Sequence, residues 1–155
     1  MRQRCRGFTL LELMIVIVLI GVLLGMASLA TGPNPARQAR QEAHAMAGLV
    51  GQLRERAVLD GEEYGLRLSD GGYRMMRLAA QGWQPMAALQ AWPVNVQLYL
   101  EQDGHPQTLQ GDEGPPQLLM LSSDETSAFT LTFSTPDRTL LSVSSDGLGK
   151  VVIDG

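Results

Sequence analysis

Between Phe8 and Ala30 the chain carries one charge, Glu12, and from Leu13 to Ala30 it carries none. A helix over residues 8–30 would be about 35 Å long at ~1.5 Å per residue, enough to cross a bilayer core. Arg2, Arg4 and Arg6 precede it, and no basic residue follows until Arg37. That asymmetry keeps the N-terminus cytoplasmic and sends the rest outward. Gly21 and Gly25 have the Gly-x-x-x-Gly spacing that permits close helix approach in lipid, a spacing also common by chance in apolar runs.

Three kinds of segment have this outline. A secretory signal peptide would be cut after the small residues Ser28 and Ala30. A signal anchor would stay uncut. Neither has a use for Glu12, since a carboxylate at the bilayer centre costs ~2.5–3.5 kcal/mol and an acid inside a membrane calls for a partner. The third kind rests on Gly7-Phe8-Thr9-Leu10-Leu11-Glu12, a basic leader ending in glycine, then phenylalanine, then glutamate four residues on. This stretch resembles the prepilin leader of the type IV pilin and type II secretion pseudopilin family. The resemblance implies cleavage between Gly7 and Phe8 on the cytoplasmic side, followed by methylation of the Phe8 amine by the prepilin peptidase. A side chain at position 7 would obstruct approach to the scissile bond. Cleavage also supplies the missing partner. The Phe8 amine lies about one turn from Glu12, so a pair within one helix is possible. The resemblance implies a pair between subunits instead, fixing the axial register of a filament. The alternative is a Glu12 that stays protonated or snorkels to the interface. Family members often carry a helix-breaking proline in the run; here the first proline is Pro33.

Thr31-Gly-Pro-Asn-Pro35 is a break rich in turn formers. From there an amphipathic helix is predicted over 36–60, with a narrow stripe of Ala39, Ala43, Met46, Val50, Leu53 and Ala57. Asp60-Gly61 ends it. The rest predicts strands. Tyr64, Leu66 and Leu68 alternate, Asp70-Gly71-Gly72 turns, and Tyr73 to Ala79 returns toward a second turn at Gln81-Gly82. Val94, Val96, Leu98 and Leu100 predict a half-buried strand, and Asp103 to Pro116 a loop. Leu118–Leu121, Phe129–Phe133, Leu140–Val143 and Val151–Ile153 complete the set. The expected fold is α+β and pilin-like, a long N-terminal helix packed on antiparallel sheets. The expected divisions are a leader over 1–7, a transmembrane and filament-core helix over 8–30, and a periplasmic domain over 31–155. Ala57 to Leu66, Gly72-Tyr73, Trp83, Phe129 to Phe133 and Ser145 to Gly149 are similar to the H-type minor pseudopilins of the general secretion pathway.

An enzyme needs a constellation of reactive groups, and none is apparent. His44 and His105 sit in no zinc motif, Cys5 is the single thiol, and no Gly-x-Ser-x-Gly occurs. Asp103, Asp112, Glu113, Asp124 and Glu125 match no calcium loop and are expected to be solvated loop acids. No catalytic residue, metal or cofactor is expected. Residues 78–155 carry only Arg138 and Lys150 as cations among many acids, a face that repels nucleic acid. This separates the chain from the FimT-like minor type IV pilins of pilus assembly and DNA uptake, the alternative family, whose C-terminal region is expected to be basic. The resemblance implies an inner-membrane protein that enters a periplasmic pseudopilus for protein secretion. The implied partners are other major and minor pseudopilins, the peptidase, the inner-membrane assembly platform, and exoproteins or the outer-membrane secretin.

Overall fold

The computed structural model describes residues 10–30, 32 and 34–155, with backbone alone for 27–30. It divides into two units, Met1–Asn34 and Pro35–Gly155. The first contains α1, Leu10–Ala30, and the second begins with α2, Pro35–Asp60. The α2 helix starts one residue earlier than its apolar period suggests. Proline suits the first helical position because its fixed φ is helical and its missing N–H would have no partner there. Asn34 occupies the preceding N-cap position, where its residue type is favoured. At the other end Gly61 takes φ 65° and its N–H reaches the Ala57 carbonyl at 3.0 Å, closing the helix with a left-handed residue.

Ten strands follow: β1 Tyr64–Leu68, β2 Gly72–Ala79, β3 Gly82–Pro85, β4 Gln90–Ala91, β5 Gln97–Gln102, β6 His105–Gln107, β7 Leu118–Met120, β8 Phe129–Ser134, β9 Thr139–Ser145 and β10 Val152–Asp154. They form two antiparallel sheets. One has the order β3-β2-β1-β7, with β4 also paired to β2; the other has β10-β9-β8-β5-β6. The six residues of the α2 stripe are all buried, together with Leu66, Leu68, Met120, Leu131, Phe133 and Val143. The helix contacts β1 and β7 of one sheet and β9 and β10 of the other, so both sheets share a single core. Trp92 adds a second link between the sheets. Its ring lies 4.8 Å from Tyr73 of β2 and 6.4 Å, edge-on, from Phe133 of β8, and its indole N–H donates to the Ser69 carbonyl at 2.8 Å. A third link is polar, since Gln102 of β5 donates its side-chain N–H to the Gln117 carbonyl beside β7 at 2.9 Å. The Gln117 side-chain amide accepts from Leu68 N–H and donates to Leu68 C=O, both at 2.8 Å, imitating a peptide group on the edge of β1.

Two predicted boundaries move. The alternating strand begins at Gln97 rather than Val94, because Asn95 adopts φ 70°, outside the strand region. Val94 is consequently exposed. The predicted loop from Asp103 opens instead with a hairpin. Asp103 (φ 51°) and Gly104 (φ 75°) make the two-residue turn whose twist suits β5 and β6.

Candidate functional site

Every described side chain of α1, from Leu10 to Met26, is exposed. Leu10, Leu11, Leu13, Leu19 and Leu23 point in different directions around the helix and each remains more than half accessible. A helix that is apolar all round lacks the one-sided stripe of a surface helix and belongs in lipid or among other helices. Among the described residues no helix is long and apolar enough to cross a membrane. The described side chains of α1 stop at Met26, short of the ~20 residues that a span requires. Added methyl groups at Gly21 or Gly25 would meet nothing within 4 Å, so both glycines leave open surface. Gly7 and Phe8 lie outside the described residues. Glu12 is exposed in the first turn of α1, where the positive end of the helix dipole favours a carboxylate.

In the second unit the charged groups mostly build structure. Arg54 of α2 grips Asp124 with both arms, Nε to Oδ1 at 2.7 Å and Nη2 to Oδ2 at 3.0 Å. The same guanidinium donates to the Leu148 and Gly149 carbonyls, each at 2.8 Å. This hydrogen bonding holds the Asp124 carboxyl below its ordinary range. The 146–149 turn is held from within as well. Asp146 Oδ1 accepts from Gly149 N–H at 2.7 Å and from Leu148 N–H at 3.0 Å, and these bonds lower its own carboxyl. The Gly147 carbonyl accepts from Thr126 N–H at 2.8 Å, and a side chain at position 147 would collide with the Thr126 carbonyl. Arg54 thus fastens two loops from distant parts of the chain to one helix. Asp60 is held low by the Tyr64 hydroxyl at 2.6 Å and then by Arg56. Burial, with a further contribution from Glu42, pushes the Tyr73 hydroxyl up to about 12.

The expectation of solvated loop acids is therefore corrected at two positions. Asp124 pairs with Arg54 and Asp112 pairs with Arg74. Asp103, Glu113 and Glu125 are exposed, as expected. His44 lies exposed on α2 and His105 exposed on β6. Among the described residues no group of three His, Cys, Asp or Glu could hold a metal ion. Sequence patterns do not reveal Arg54, Gln117 or Trp92, since each acts on a partner far along the chain. Only the Ser145–Gly149 resemblance drew attention to the loop that Arg54 holds.

An N-terminal helix apolar on every side but for Glu12, joined to a helix-and-two-sheet unit, defines a pilin-like protein. Residues 2–28 match the family model described as the prokaryotic N-terminal methylation motif. The chain resembles a solved structure of the minor pseudopilin EpsH from the type 2 secretion system of Vibrio cholerae, with a TM-score of 0.66 and 25% identity over 76% of this chain and 96% of that one. The fold is also that of the solution structure of Escherichia coli GspH, with a TM-score of 0.62 and 20% identity over 76% of this chain and 88% of that one. In sequence, the chain is 44% identical to type II secretion system protein H of Pseudomonas aeruginosa, over 92% of this chain and 91% of the relative. It is 29% identical to the protein of the same description from Aeromonas hydrophila, over 97% and 93%. The chain belongs to the type II secretion system protein H family.

Proposed function

We propose that the chain works as a minor pseudopilin by mechanical assembly rather than by catalysis. It is made as a prepilin with residues 1–7 as leader, cut between Gly7 and Phe8, and methylated on the Phe8 amine. Residues 8–30 then hold it in the inner membrane, N-terminus cytoplasmic and residues 31–155 periplasmic. Extraction into the pseudopilus exchanges lipid around α1 for neighbouring helices. Glu12 pairs with the Phe8 amine of an adjacent subunit, and because a mismatched stagger would leave both charges unpaired, the pair sets register. The neighbours are other pseudopilins and the assembly platform. Exoproteins or the secretin meet the exposed sheet unit, and nucleic acid is not a partner.

The observation that carries this is α1 itself, apolar on every side and interrupted only by Glu12. Mass spectrometry of the mature N-terminus tests it. Methyl-Phe8 is the expected first residue, and a chain beginning at Thr31 overturns the proposal in favour of a conventional signal peptide. Gly7→Val should leave uncut precursor in the membrane; normal processing of that variant would remove the leader assignment.

A further inference from the structure

Between β9 and β10 the chain turns through Asp146-Gly147-Leu148-Gly149, and no backbone group of residues 147–149 is left unbonded. Gly147 N–H donates to Ser145 Oγ at 3.1 Å, and the N–H groups of Leu148 and Gly149 donate to Asp146 Oδ1. The Gly147 carbonyl accepts from Thr126 N–H, and the Leu148 and Gly149 carbonyls accept from Arg54. Fit explains the two glycines. Gly147 has φ 89° and lies against the Thr126 carbonyl, and a Cβ on Gly149 would come within 3.2 Å of Asp146 Oδ1. Nothing in the turn explains Leu148, whose side chain takes part in none of these bonds and is 71% exposed. A single exposed leucine is ordinary on a protein surface. Here the bonding on both sides of it holds the residue out, so its exposure is built into the fold and costs no ordering on contact.

The turn borders a hollow of about 370 Å³ against α2. Ala47, Val50, Gly51 and Val151 give the hollow an apolar lining, and Lys150, the residue after the turn, also lines it. Lys150 is exposed and forms no ion pair among the described residues. Arg54 lines the hollow too, but its guanidinium is occupied by Asp124 and the two turn carbonyls. The surface thus offers a fixed apolar projection, an apolar recess and one unpaired ammonium group. The rest of residues 78–155 is rich in acids, which turns away an anionic lipid surface and leaves a protein as the occupant.

We propose that Leu148 and the Lys150 hollow together dock a different pseudopilin, one that offers an apolar socket to Leu148 and sets an apolar side chain beside a carboxylate into the hollow. Charge complementarity calls for the carboxylate, because the Lys150 ammonium has no counter-charge in its own chain. The partner is unlike this chain, since a projection and its socket on one chain would repeat without closing, and a minor subunit does not repeat. The contact rests on the pseudopilin reading and adds a specific junction in the sheet unit to the stagger that Glu12 sets in α1. Arg54 then has a second task beyond stability, the presentation of Leu148.

Photocrosslinking of the full chain tests it, in cells that carry a complete type II secretion system, with p-benzoylphenylalanine replacing Leu148. Ultraviolet light should join the chain to one other pseudopilin, at an apolar site that peptide mass spectrometry places within a few residues of an aspartate or glutamate. An adduct with a second copy of this chain, with lipid or with a protein outside the pseudopilus overturns the contact, and so does the absence of any adduct. Leu148→Asp should leave the melting temperature within about 2 °C of the parent, because the side chain is exposed. It should lower the amount of that pseudopilin recovered with the chain from detergent extracts about tenfold; undiminished recovery overturns the contact. Lys150→Glu should lower recovery about threefold, and a lysine in place of the crosslinked partner's carboxylate should restore it, which a merely misfolded variant would not allow. A loss that this exchange fails to restore overturns the contact. Methyl-Phe8 in the same cells without the adduct overturns the contact alone, whereas a chain starting at Thr31 overturns both it and the pseudopilin reading.

Discussion

Arg54 does for the second unit what a disulfide does in other small domains, holding segments that are remote in sequence. It reaches Asp124 across 70 residues and the Gly149 carbonyl across 95. Such separations are why the loop acids look solvated in the sequence; a local pattern carries no information about a partner that far away. Arg54→Met should lower the melting temperature of the chain in detergent by about 5 °C, read by circular dichroism, because several charge-assisted bonds go at once. Asp124→Asn should cost less, since the two carbonyl contacts of Arg54 survive. An Arg54→Met melt equal to the parent would reduce the cluster to decoration. The same carboxylates fix the acid limit. Asp60, Asp124 and Asp146 all titrate below the ordinary 3.8 in the folded chain. A depressed carboxyl contributes stability above its unfolded value and loses it as pH falls through the folded one. These groups should therefore leave the melting temperature unchanged from neutral pH down to about 4.5 and lower it below about 4. Asp146→Asn should flatten that acid limb, and a limb as steep as the parent's would mean the turn does not feel the charge.

Periodicity made α2 legible. Its stripe depends on the residues at three- and four-residue steps, and tertiary packing only completes what the helix begins. The alanines in that stripe let the helix lie close to both sheets, so size is critical on one side and free on the other. Ala43→Leu forces a larger side chain into a filled core and should cost ~1–3 kcal/mol in urea unfolding. Ala45→Leu, two residues on and exposed, should stay within ~0.5 kcal/mol. Equal effects would deny the helix its assigned face. Strand alternation was legible wherever the backbone obeyed it, as in β1 and β8. It failed at Val94, where one residue at positive φ breaks the strand, and at β6, where Pro106 argues against a strand. That proline is tolerated because β6 is a three-residue edge strand, and a missing N–H on an outer edge costs no ladder bond. Two-residue β4 has too little sequence to carry a period at all.

At the scale of the whole molecule, an average composition with a net charge of −4 conceals a chain of two chemistries. Loss of the leader would remove Arg2, Arg4 and Arg6 and deepen that charge to −7. The second unit buries its own core, while every described side chain of α1 is exposed. Glu12 is the one group in α1 that resists a purely apolar environment, so its replacement separates two accounts of the helix. If Glu12 merely snorkels, Glu12→Val removes a burden of up to ~2.5–3.5 kcal/mol and should insert and assemble at least as well as the parent. If it pairs with the Phe8 amine of a neighbour, the same change leaves an uncompensated ammonium group in each apolar contact. Breaking a buried pair from one side costs ~3–5 kcal/mol, far more than an exposed pair is worth. Glu12→Val should then be cleaved and methylated normally, remain in the membrane, and enter sheared pseudopilus fractions at less than about one tenth of the parental level. Glu12→Gln, which keeps the shape and a hydrogen bond but not the charge, should fall between the two. Parental incorporation of the valine variant would take Glu12 out of the assembly mechanism and leave the apolar surface of α1 to set the stagger alone.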